Sequence, residues 1–448
     1  MAKTDWKAKA KALKKKLKSV RADIGDTVAN VAEAVRKATK PVSPLAPAAF
    51  PNLQPIAGVE FAAVEAGVRY QNRKDVMLIR LAPGTTLAGA FTKSSTRSGC
   101  VRDCQEKLAL KVPSGAGAAI IVNSGNSNAF TGKVGDKAVA AVTSGVATAL
   151  GLPASRVFSS STGVIGEPLP YGKITAQIPA LLADLSEDGI EMAAEAMMTT
   201  DTFPKGAEAT VQGEGGLIQI AGIAKGSGMI APDMATMLVY IFTDAKLPAK
   251  ALQKMVSRHV GNTFNAITVD SDTSTSDTLL VAATGKSAAE QPRGAVLKAF
   301  EAALRSVMLN LAHQVVRDGE GATKFVEVRV SGARDGQDAQ KVALSIANSP
   351  LVKTALAGED PNWGRIVMAI GKSGAEADRD RLTIHFGENL VAEKGWRSPK
   401  FSEDACAAYM KNPELLIRVD LGLGRAAHTV WTCDLTNRYI EINADYRS

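Results

Sequence analysis

The segment from Lys225 to Leu238, KGSGMIAPDMATML, places a hydroxyl where it could do chemistry. Gly226, Gly228 and Pro232 fall within eight residues, so the chain cannot be helix or ladder strand and must turn sharply. Beyond the small Ala235–Thr236 junction, the apolar run Met237–Phe242 reads as a buried strand. A threonine therefore stands where a tight loop enters the core, and a hydroxyl buried there is costly unless something uses it. Threonine is a weak nucleophile until a base takes its proton, and its own α-amine is one such base if the preceding bond is cut. That amine titrates near ~7.7–8.0, within reach of neutral pH. Attack of the Thr236 hydroxyl on the Ala235 carbonyl would form an ester, and water would then release a new N-terminus. An isolated Ala–Thr pair is more often a turn ending in a strand-capping threonine, so the wider sequence has to decide.

It does so through a series of motifs in order. They are Phe91-Thr92, NSGNSNA at 123–129, STGVIG at 161–166, Thr200-Asp201-Thr202, TVDSDTST at 268–275, DGEGATK at 318–324, GEDPNWGR at 358–365 and INADY at 442–446. Together with 225–238 they closely resemble the ornithine acetyltransferases of arginine biosynthesis, also called bifunctional glutamate N-acetyltransferases. The likeness runs from about residue 45 to the C-terminus, and so many motifs in order make a strong signal.

The resemblance implies self-cleavage between Ala235 and Thr236, followed by ping-pong transfer of an acetyl group from N-acetylornithine to glutamate through Thr236. It implies that Thr162 and Gly163 form the oxyanion hole. A hydroxyl and a backbone approachable through a glycine suit that task, although a plain Ser/Thr/Gly turn reads the same. An amino-acid substrate needs a cation and an anion, which Lys225 and Glu320 could supply; without the resemblance both read as surface residues. Thr202, Asn443 and the terminal Ser448 complete the implied pocket. Ser127, Phe130 and Ser271 depart from the family pattern, and the proposed contacts do not include them. The implied assembly is an α2β2 heterotetramer of the cleaved fragments. Acetyl-CoA stays open as a co-substrate, since no motif fixes a CoA site, and no tightly bound cofactor is expected.

Composition bounds the alternatives. The chain has 448 residues, 46% apolar and 22% charged, with no apolar run approaching the ~20 residues of a membrane span. The first forty residues carry 12 Lys/Arg against 4 Asp/Glu, which accounts for the whole net charge of +8. The body is therefore neutral and offers no electrostatic case for nucleic acid or membrane. Leu13, Leu17, Val20, Ile24, Val28, Val31 and Val35 form an amphipathic stripe there, interrupted by Gly25. Its lysines and four acidic residues argue for a dispensable extension over organelle targeting, and hence for a cytoplasmic protein. Cys100, Cys104, Cys406 and Cys433 fit reduced thiols, not a zinc site, and four scattered histidines suit packing better than catalysis.

The elements that position these residues alternate. Strands are expected at 118–122, 156–158, 237–242 and 278–282, with polar loops at 123–128 and 159–166. Helices are expected from Asp136, as cap, to Leu150, and over 174–198, 248–260 and 293–316. The tail reads as strand at 325–330, 342–346, 382–385, 415–421, 429–435 and 439–442. This is an α/β chain, and the resemblance implies a layered αββα-type sandwich. The expected parts are residues 1–45, a basic helical extension and Pro-rich linker; 46–235, the fragment with the oxyanion and substrate loops; and 236–448, the fragment headed by Thr236. G-x-G-x-x-A at 422–427 lacks a following βαβ unit, and GKS at 371–373 lacks its glycine at Ile366, so neither is a nucleotide site. An N-terminal-nucleophile aminopeptidase and a binding protein acting through the basic helix are the rivals. Deleting residues 1–40 separates the enzyme from the binding module: an enzyme is expected to keep its acetyl exchange between N-acetylornithine and glutamate, whereas a binding module is expected to lose its partner.

Overall fold

Two sheets stacked face to face carry the molecule, and the burial of β8 (Leu238–Thr243) shows why. In the computed structural model, which describes residues 41–231 and 237–444, all six of its residues are buried. Leu238, Tyr240 and Phe242 pack toward the other sheet, while Val239 and Ile241 pack toward helices. A strand covered on both faces reads as a continuous apolar run, which is how the sequence presents it.

The first sheet runs β1 (Val59–Val64), β2 (Val76–Leu81), β4 (Ala118–Asn123), β5 (Val157–Ser161), with β4 and β5 parallel and the other pairs antiparallel. The second runs β3 (Thr86–Phe91), β9 (Thr278–Ala283), β8, β7 (Gly216–Lys225), β6 (Lys205–Gly213), with only β8 and β9 parallel. Val59, Phe61, Met77, Ile79, Ile120 and Val122 meet Ala221, Ile223, Tyr240, Phe242 and Leu280 between the sheets. The helix Gly132–Leu150 covers the outer face of the first sheet, and Ala249–His259 with Gly294–Arg317 cover that of the second. The architecture is an αββα sandwich.

The strand-rich tail adds a third sheet: β13 (Trp396–Arg397), β12 (Asn389–Glu393), β11 (Thr383–Phe386), β14 (Glu414–Asp420), β10 (Phe325–Ala333), β15 (Ala426–Cys433). Val326, Val328 and Val330 bury under the helix Gly336–Ala347, while Phe325, Trp431 and Cys433 join the core beside Gly294–Arg317.

Four expectations need correction. Residues 342–346 are helical, because Asp335 caps the start and Ala339, Val342, Ala343 and Ile346 bury on one helical face. Residues 439–442 lie in the helix Asn437–Ala444. Asp136 lies inside the helix that starts at Gly132 and pairs with Arg102 instead of capping. The stretch 174–198 breaks into helices Tyr171–Ala176, Ile178–Ala183 and Ile190–Ala196, the second opened by Pro179. The amphipathic stripe of residues 13–35 lies outside the described residues, as do Ala235, Thr236 and Ser448. The cysteines are free and buried, and His313 packs between Phe325 and Trp431.

The ring of Phe242 meets that of Phe61 edge-on at 5.2 Å across the sheet interface, and both are buried. Phe242→Ala should lower the unfolding free energy by about 3–5 kcal/mol, read from urea denaturation.

Candidate active site

Loops from four strand ends converge on one cavity. β4 and β5 run parallel, so their carboxyl ends release the loops after Asn123 and Ser161 side by side. In the second sheet Lys225 and Leu238 are register partners, so the connection between them must leave and return at that same end. The cavity, about 110 Å³, is lined by Ser127, Thr162, Gly163, Ile165, Thr199 and Thr200 from the first half of the chain. Lys225, Gly228, Met229, Ser274–Ser276, Glu320 and Asn443 complete its wall. The structure thus brings together Thr162, Gly163, Lys225, Glu320 and Asn443 from opposite ends of the sequence.

The Thr162–Gly163 pair is held by close backbone contact. Gly163 has φ +129, and a Cβ there would lie 2.3 Å from the Gly125 carbonyl carbon. Only glycine lets this loop press against Gly125–Asn126. Asn123 and Asn126 fix the neighbouring turn: Ser161 Oγ donates to Asn123 Oδ1 at 2.7 Å, and the Asn128 amide donates to Asn126 Oδ1 at 2.8 Å. Ser127, a departure from the family pattern, does line the cavity, with its hydroxyl donating to the Val164 carbonyl at 2.8 Å.

Lys225 is buried at the end of β7. Its ammonium donates to Thr199 Oγ1 at 2.8 Å and to Thr162 Oγ1 at 3.3 Å. A hydroxyl that accepts from Lys225 keeps its own proton to donate elsewhere, so Thr162 is oriented as a donor. Burial pushes the Lys225 ammonium below its ordinary range, and the Asp201 carboxylate at 3.9 Å partly opposes this.

Asp201 ties the surroundings together. It is fully buried and accepts from the Thr199 amide at 3.0 Å, the Gly226 amide at 2.7 Å and Lys205 Nζ at 2.8 Å. Burial alone would raise its carboxyl, but Lys205 and Lys225 hold it below the usual carboxylate range. Lys205 also reaches Asp318 at 2.6 Å. Thr202 is not at the cavity. Its hydroxyl and amide bond Asp318, and it serves this buried network while Thr199 and Thr200 face the cavity. The reading by motif missed both. Their signal was the run Thr199-Thr200-Asp201-Thr202, in which a buried aspartate orients the residues before it.

On the opposite wall, Glu320 sits on the loop backbone. Its amide donates to the Ser227 carbonyl at 2.9 Å, and a Cβ on Gly228 would collide with its carboxyl at 2.4 Å. Asn443 Nδ2 donates to Glu320 Oε2 at 2.7 Å. Helical spacing puts Tyr439 on the same face as Asn443, and its hydroxyl reaches Asp270 at 3.3 Å. Asp270 also accepts from the amides of Met229 and Ile230 at 2.6 and 2.8 Å. The C-terminal helix is thereby fastened to the loop that precedes residue 232. Burial pushes the Glu320 carboxyl up, with Asn443 pulling the other way.

The ArgJ family profile matches residues 60–448. The "Arginine biosynthesis bifunctional protein ArgJ" of Ruegeria pomeroyi is 64% identical over 412 residues, covering 92% of this chain and 100% of that one. Its namesake in Mesorhizobium japonicum is 52% identical over 413 residues, covering 91% and 99%. A crystal structure of the ArgJ protein from Bacillus halodurans is similar at 40% identity and a TM-score of 0.44, covering 46% of this chain and 97% of that one.

Asp201→Asn leaves Lys225 with no close carboxylate and Lys205 with one. It should destabilise the fold by about 3–5 kcal/mol in denaturant titrations at neutral pH. The folded-state value of Asp201 lies below the unfolded value near ~3.9, so the wild-type advantage is full above about pH 4. It should shrink as pH falls below that.

Proposed function

The chain belongs to the ArgJ family, and from that premise we propose that it is a self-processing acetyltransferase of arginine biosynthesis, moving acetyl from N-acetylornithine to glutamate. One observation carries the reading. A single cavity gathers a hydroxyl–glycine pair, a buried lysine and a buried glutamate at the loop that leads to Thr236. This is the equipment that acyl transfer on an amino acid requires: donors for an oxyanion, a cation for a carboxylate and an anion for an ammonium group.

In the proposed cycle, cleavage between Ala235 and Thr236 yields fragments 46–235, preceded by the extension 1–45, and 236–448. The freed α-amine of Thr236 takes the proton from its hydroxyl, and Oγ attacks the acetyl carbonyl of N-acetylornithine. Thr162 and Gly163 stabilise the oxyanion. The tetrahedral intermediate collapses as the proton passes to the departing amine, and ornithine leaves. The glutamate amine then attacks the acetyl ester, regenerates Oγ–H and leaves as N-acetylglutamate. Lys225 holds the substrate α-carboxylate. Glu320, with Asn443, faces the side chain, and Ser448 closes the pocket. Thr199 and Thr200 take the part that the sequence motif gave to Thr202. Acetyl-CoA serves as a second acetyl donor in this reading, the fragments pair as an α2β2 assembly, and the enzyme works in the cytoplasm.

Intact mass under denaturing conditions tests the maturation. Two fragments meeting between Ala235 and Thr236 are expected from the wild-type chain. Thr236→Ala should give one uncut chain with no acetyl exchange, and a processed or active alanine variant would sink the reading.

A further inference from the structure

Asp277 is a buried carboxyl that the acetyl-transfer cycle does not use. It immediately precedes β9 and is fully buried. Its Oδ1 accepts from the Met237 amide at 2.8 Å, and that amide belongs to the peptide bond joining residues 236 and 237. The Thr278 amide donates to the Met237 carbonyl at 3.1 Å, so both polar groups of Met237 are held by adjacent residues of one segment. The Asp277 carbonyl accepts from the Thr92 amide at 3.2 Å, fixing that segment in turn. Asp277 Oδ2 is buried and has no hydrogen-bond acceptor or donor among the described residues.

Covalent geometry limits how far the scissile bond can lie from this carboxyl. The amide nitrogen of residue 236 is three bonds from the Met237 nitrogen, through lengths of about 1.46, 1.52 and 1.33 Å. It therefore lies within about 4 Å of an atom that Asp277 already touches. A buried carboxyl oxygen without a partner is expensive unless it has a task, and breaking the bond before Thr236 needs an acid.

We propose that Asp277 is the proton donor for self-cleavage of the Ala235–Thr236 bond. As Thr236 Oγ forms its bond to the Ala235 carbonyl carbon, the C–N bond breaks and the departing nitrogen takes the proton of Asp277 Oδ2. The carboxylate left behind takes up the Thr236 hydroxyl proton, so Asp277 ends neutral and no net proton moves. Water then splits the ester, giving the Ala235 carboxyl and restoring the Thr236 hydroxyl. The charge state fits the role. Burial pushes the carboxyl well above its ordinary range, against the Met237 amide and the Lys225 ammonium on β7. A neutral acid is what the step requires.

The inference rests on the self-cleavage proposed above, and the test separates the two. Chains made in a short pulse of cell-free translation are chased, and conversion of full-length protein to fragments is followed by intact mass. Asp277→Asn keeps an oxygen for the Met237 amide and nearly the same volume but has no acidic proton. It should mature about 100-fold more slowly than wild type while unfolding at a similar temperature. Independently of any variant, wild-type cleavage should slow in D2O, because a proton moves as the C–N bond breaks. An Asn chain that matures at the wild-type rate, or wild-type cleavage unchanged in D2O, overturns the assignment of Asp277. A wild-type chain that never yields fragments overturns the self-cleavage reading itself.

Discussion

The site depends on one buried charge, the carboxylate of Asp201. It accepts from the amides of Thr199 and Gly226 and from Lys205, and it faces Lys225. Each contact belongs to a different part of the cavity: the loop before β6, the start of β6, the end of β7 and the turn that leaves it. A fully buried carboxylate is tolerable only when paired and hydrogen-bonded, and this one has both. Because its partners are backbone amides as well as ammonium groups, satisfying it fixes where the chain runs. Lys225 is then left with an incomplete set of negative neighbours, its head against two threonine hydroxyls at the cavity wall.

The sandwich supplies the rigidity that lets such a network sit at a loop cluster. Packing side chains from both sheets between them leaves the strand ends as the only places where polar loops can gather. The two parallel pairs, β4 with β5 and β8 with β9, bring non-consecutive loops together without long excursions. The third sheet contributes differently. Asp434, just past β15, accepts from the Thr323 and Lys324 amides, and Thr436 donates to the Gly321 carbonyl at 2.8 Å. These bonds hold the Glu320 loop and the C-terminal helix in one unit, which is how residues 123 positions apart meet across the cavity.

Much of this was legible in the sequence because it rests on local patterns. Apolar runs bounded by polar loops located β4, β8 and β9, since strands buried on both faces leave no ambiguity about polarity. Motifs located Thr162, Gly163, Lys225, Glu320 and Asn443, because glycines and charged residues in loops stand out. What failed was whatever depends on three-dimensional direction. Thr199, Thr200 and Thr202 are chemically alike, and only the pull of Asp318 decides that Thr202 turns away from the cavity. Ser127 was discounted as a departure although its loop was recognised. The run at 342–346 is apolar enough to pass as a short strand, and only the helical spacing of Ala339, Val342, Ala343 and Ile346 on the core settles it.

The electrostatics of the cavity bear on a difficulty built into the proposed exchange. A ping-pong enzyme must receive two amino acids in one place, and ornithine ends in an ammonium group where glutamate ends in a carboxylate. A permanently charged residue facing the side chain would favour one and repel the other. Glu320 is suited to neither extreme. Burial favours its neutral form, while the Asn443 amide favours the ionised one. In the proposed cycle, an arriving ammonium group would favour the ionised carboxyl, and an arriving carboxylate the protonated one, which can donate a hydrogen bond. In that cycle Lys225 would need no such freedom, because both amino acids present the same α-carboxylate. The two residues are held differently: the lysine is tied to two hydroxyls and a fixed aspartate, whereas the glutamate rests on the bare backbone of Gly228 beside the Asn443 amide and the Thr200 hydroxyl.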